Sequence, residues 1–127
     1  EMVAAFDSEA DAERLSLGHV RTSIDADLIT SGLRFLLEHQ KLPLQEIFKG
    51  VVIPAQADLD AALLPASDWV ACARSNACSY NGLWTLYTCA QFGCPAGSDL
   101  PRALERMLPI EQFEAAQRIA QWALAQH

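Results

Sequence analysis

The chain has 127 residues, 51% of them apolar, and a net charge of −7 from 16 acids against 9 bases. That length suits a single helical domain, 1–127, with a real core, and alanine and leucine outweigh valine and isoleucine, which favours helix over sheet. The acidity argues against nucleic acid and anionic membrane surfaces as partners, and no apolar run approaches the ~18 residues of a membrane span.

Residues 1–7 have no clear period and are expected to fray. Ser8 opens an S-x-x-D pattern with acids in the first turn, where the helix dipole favours them, so a helix is expected from Glu9 to about Leu17, closed by Gly18. Ser23 is the expected N-cap of the next helix, with Asp25 in its first turn and Leu28, Gly32, Phe35 and Leu36 on one face. It should run to about His39 and stop before Pro43. Gly32 costs about 1 kcal/mol against alanine mid-helix, which points to a second helix packed closely there.

Pro43 starts a short turn through 45–48, ended by Gly50. The run Val51-Val52-Ile53, three residues before Pro54, reads as an extended buried connector and not as a sheet strand. Residues 58–64 read as a short helix stopped at Pro65, and Asp68 as the cap of a further helix through Trp69, Cys72 and Ala73. Residues 76–82, which contain Asn81-Gly82, form the natural loop. A helix over 83–92 follows, with Gly93 just past its end. Ser98 or Asp99 caps 100–107 with Pro101 in the first turn, and Pro109 starts a last helix to about Ala125. The expected fold is all-α, a compact irregular bundle of six or seven short helices.

All four cysteines, Cys72, Cys78, Cys89 and Cys94, fall within 23 residues in the spacing C-x5-C-x10-C-x4-C. This lacks the paired C-x2-C knuckles of a zinc site and any C-x-x-C redox pair. Two disulfides are the better reading, and they imply an oxidising compartment: the periplasm, or outside the cell. Any export signal would have been removed ahead of this numbering. If Gly93 is the left-handed residue of a Schellman ending, Cys89 and Cys94 take positions that the motif's hydrogen bond brings together. Cys72 and Cys78 flank the end of the preceding helix in a similar way, with Asn76 able to make the turn. The pairing 72–78 with 89–94 is therefore preferred. The pairings 72–89 with 78–94 and 72–94 with 78–89, which would tie two helices together, stay open. Loops this short remove on the order of 2 kcal/mol of chain entropy each, so their role is to hold helix ends in shape.

The stretch D-W-V-A-C-A-R-S-N-A-C followed by L-Y-T-C-A-Q-F-G-C-P resembles a pattern met in uncharacterised exported, disulfide-containing helical proteins of Gram-negative bacteria. The likeness covers 68–95, a quarter of the chain. It implies export and disulfides and transfers no activity and no functional residue.

Nothing lines up as an enzyme. There is no nucleophile elbow, P-loop or dinucleotide glycine motif. Asp25 and Asp27, and likewise Asp58 and Asp60, are two apart and would point to different helix faces. His39 suits a helix end as a partly cationic ring, and His19 has no ligand spacing around it. No cofactor and no metal is expected. The expected function is a non-enzymatic protein-binding module of the immunity, adaptor or inhibitor type. Its partner is another protein, of basic character if the acidic face is used, and its contacts are Tyr80, Asn81 and Trp84 on the disulfide-braced 76–82 loop. An aromatic on a braced loop loses little entropy on binding. The alternatives are a small enzyme or accessory domain with a carboxylate or histidine site across helices, and a structural homodimer.

Overall fold

The computed structural model describes residues 8–75, 78 and 99–126. Six helices and no strand are found among them: α1 (Glu9–Thr22), α2 (Ala26–Glu38), α3 (Leu44–Ile47), α4 (Gln56–Arg74), α5 (Leu100–Met107) and α6 (Ile110–Leu124). The all-α expectation holds. None of these helices is long and apolar enough to cross a membrane.

Ser8 caps α1 as its sequence suggests, its Oγ accepting from the amides of Ala10 and Asp11 at 3.1 and 3.3 Å. The helix does not stop at Gly18. It continues to Thr22, because Val20 is fully buried and its packing outweighs the glycine's cost. The cap of α2 also differs from expectation: it is Asp25, which accepts from the Asp27 amide at 2.9 Å. Ser23 instead forms the turn before it, accepting from the Asp25 amide at 2.9 Å. Helix α2 ends in a Schellman motif. The Gln40 amide bonds to Leu37 O and the Lys41 amide to Leu36 O, at 3.2 and 2.7 Å, with Gln40 itself at φ 58°.

Gly32 does what its position suggests. A Cβ there would lie 2.6 Å from the Ser16 carbonyl oxygen, so the backbones of α1 and α2 meet at this point.

Pro43 leads into α3, and Gly50, at φ 86°, closes the turn that follows it. The connector after it is neither helix nor strand, and it is not buried as expected. Val52 is 91% exposed and Val51 48%, with only Ile53 packed against the core.

The two helices expected on either side of Pro65 are one. Helix α4 runs from Gln56 to Arg74 with Pro65 inside it. An internal proline removes one backbone bond and costs about 3 kcal/mol. Here Leu59, Ala62, Leu63, Ala66 and Val70 form one continuous buried face across it, and their burial at about 25 cal/mol per Å² exceeds that cost. The carbonyl that loses its partner belongs to Ala61, on the exposed side, where solvent can bond it. Asp68 therefore sits mid-helix and caps nothing.

Helix α5 is capped by Asp99, which accepts from the Arg102 amide at 3.0 Å, with Pro101 in the first turn. Helix α6 follows Pro109 directly. The main core lies where α4 packs along both α2 and α6, with α1 covering α2. A smaller cluster of Cys72, Leu100, Leu104 and Phe113 closes the other side of α4. Trp69 packs against both clusters.

Candidate functional site

The sequence directs attention to the end of α4, and the structure builds a junction there. Cys72 occupies the last turn of the helix and is fully buried. Ser75 ends the helix, its amide and hydroxyl both donating to Ala71 O, at 3.1 and 2.7 Å. Cys78 is bonded to Cys72, with their α-carbons 4.9 Å apart. This is the local pairing preferred on helix-end grounds. The two sulfurs lie 3.2 and 3.7 Å from the Trp69 carbonyl oxygen, contacts with no proton to share. One bridge is found among the described residues. Cys89 and Cys94 lie outside them, as do Tyr80, Asn81 and Trp84.

The bridge does more than close a turn. The carbonyl of Cys78 accepts from the amide of Leu100, the first residue of α5, at 2.8 Å. Leu100 is fully buried against Cys72, Leu104 and Phe113, and the Trp69 and Phe113 rings stack with centroids 5.9 Å apart. The start of α5 is thus tied to the end of α4 by one covalent bond, one backbone hydrogen bond and a small apolar cluster.

Arg74, in the same turn, is a feature that residue patterning does not reveal. Its guanidinium donates to Ser23 O at 2.8 Å, to Val20 O, and to Ala123 O at 3.4 Å. These carbonyls lie at the ends of α1 and α6, so one fork at the end of α4 joins the C-termini of two other helices. Positive charge is favoured there by the dipoles and the orphan carbonyls. Desolvation lowers its pKa from the ordinary arginine value. The guanidinium faces the helix ends, and the neighbouring Cys72 is a bridged sulfur with no thiol to activate.

Burial pushes the Asp68 carboxyl up to about 6, and the negative charge of Asp27 on α2 adds to the rise. A carboxyl raised in the folded state costs stability once it ionises. The cost is absent below about pH 4, grows as pH rises through 4 to 6, and is complete above 6. Each tenfold in the ionisation constant is worth about 1.4 kcal/mol. With part of the group in solvent, Asp68→Asn should therefore stabilise the protein by about 1–2 kcal/mol at pH 7. The gain should vanish near pH 4, as read by denaturant melts of both chains across that range.

His39 ends α2, stacked on Phe35 at 4.0 Å, with its Nδ1–H donating to Phe35 O at 3.0 Å. Among the described residues, no three His, Cys, Asp or Glu side chains converge as a metal site would require. No family model, no curated protein and no solved structure matches this chain.

Proposed function

We propose that this chain is a non-enzymatic protein-binding module of periplasmic or secreted type, acting as an immunity, adaptor or inhibitor protein. It engages its partner through the segment that begins at the Cys72–Cys78 bridge, with Tyr80, Asn81 and Trp84 as contacts. The observation that carries this reading is the tie at its base: Leu100 N–H to Cys78 O at 2.8 Å, set on the bridge and on a buried cluster. A segment whose two ends are held together on a packed base has already lost much of its chain freedom before it meets a partner. The main core of α1, α2, α4 and α6 is a different cluster from the one at the tie. Tyr80 and Trp84 follow Cys78 in the sequence, and aromatic side chains suit recognition because they supply large contact area for two rotatable bonds.

The test is affinity capture from the native host with the unreduced protein, followed by equilibrium binding of the captured partner. Tyr80→Ala and Trp84→Ala should each weaken binding by roughly tenfold or more, as central aromatic contacts do, with unchanged helical circular dichroism. Unchanged affinity in both variants would remove the segment from the interface and the reading with it.

A further inference from the structure

A groove of about 490 Å³ lies on the far side of α4's N-terminus from the bridge. Its walls are the 51–55 connector and one stripe of α6. The connector contributes apolar surface: Val51, Val52, Ile53 and Pro54, with Phe48 behind them. Val52 at 91% exposure is the most exposed of the large apolar side chains described, and Val51 beside it is half exposed. Opposite stand Glu111, Glu114, Ala115 and Arg118, which recur at helical spacing along α6, and Asp58 at the start of α4.

The charges on this rim are unbalanced. Three carboxylates face one guanidinium, and that guanidinium is directed at the Ile47 carbonyl at 3.4 Å. Asp58 receives a hydrogen bond from Gln112 at 3.4 Å. Glu111 and Glu114 take part in neither of the salt bridges found among the described residues, which are Arg14–Asp11 and Lys41–Glu13.

We propose that this groove is a second protein-docking site, and that its occupant is a basic segment of a partner carrying an aliphatic or aromatic side chain. The apolar side chain covers Val51 and Val52, and lysines or arginines meet Asp58, Glu111 and Glu114. A second copy of the chain fits less well, because a two-fold contact would set the same acid-rich patch on both sides in a protein of net charge −7. The same charge repels anionic lipid. The site is separate from the bridged junction and does not depend on the function proposed there.

The probe is a fluorescently labelled peptide of alternating lysine and leucine, compared with one carrying glutamate for lysine. The lysine peptide should bind, and should bind more weakly as salt rises from about 50 to about 300 mM. Val52→Ser and the double variant Glu111→Gln/Glu114→Gln change exposed side chains only, and each should weaken it by roughly tenfold. Asp11→Asn, on α1 and outside the groove lining, should change nothing, and the glutamate peptide should not bind. Equal binding of the two peptides, or lysine-peptide affinity untouched by the groove variants, would overturn the proposal. So would a concentration-dependent dimer that Val52→Ser converts to monomer, because the occupant would then be a second copy. Tyr80→Ala should leave peptide binding intact.

Discussion

Arg74→Ala should cost this protein about 3 kcal/mol or more. Its guanidinium serves Val20 O and Ser23 O at the end of α1 and Ala123 O at the end of α6. Hydrogen bonds to a charged donor contribute about 1.5–3 kcal/mol, and the larger penalty lies in leaving carbonyls inside without a donor. Val20 O is an orphan of the last helical turn, so no backbone amide replaces the lost partner. Removing the side chain also deletes its apolar stem from a half-buried site. Arg74→Lys keeps the charge but not the planar fork, and should recover less than half of the loss. Chemical denaturation of the three chains measures this. A loss below about 1 kcal/mol in Arg74→Ala would mean that solvent already serves these helix ends.

Two glycines in neighbouring helices should respond to the same substitution with opposite signs. At Gly32 an added Cβ would lie 2.6 Å from Ser16 O and 3.1 Å from a Val20 methyl, and the nearer atom is helix backbone that cannot rotate away. Overpacking of this kind costs about 1–3 kcal/mol, and alanine's better helix propensity returns about 1 kcal/mol of it. Gly32→Ala should therefore destabilise by up to about 2 kcal/mol, and Gly32→Val by more, because its β-branch adds bulk at the same contact. At Gly18 a Cβ meets nothing within 4 Å. Only the propensity term acts there, and Gly18→Ala should stabilise by up to about 1 kcal/mol. Thermal melts of the variants check both signs at once. A stabilising Gly32→Ala would mean that α1 and α2 are not in backbone contact.

These two glycines also show what a residue pattern can carry. Gly32 lies inside a strong apolar period, so its cost had to be repaid by close approach, and it is. Gly18 follows a weaker period and reads as a stop, while the burial of Val20 beyond it decides otherwise. Pro65 misleads for the same reason: its local cost is real, but Leu59 through Val70 bury one face on either side of it, and tertiary packing overrides local preference. The Cys72–Cys78 pairing was legible because a helix end fixes the distance between two flanking positions. The Arg74 fork was not, since its acceptors lie 49 to 54 residues away in sequence. The groove is not legible in the sequence, because three aliphatic residues before a proline read as buried, whereas Val51 and Val52 face outward.

We propose above that the bridged end of α4 serves recognition. It is tested by the affinity of the captured partner for the oxidised protein and for Cys72→Ala/Cys78→Ala, with unfolding followed on both. Removing a bridge of separation 6 should cost about 2 kcal/mol of stability. It should leave α1, α2, α4 and α6 folded at room temperature and weaken the partner by roughly tenfold or more as the base of the segment loosens. Full affinity in the unbridged variant would contradict the account.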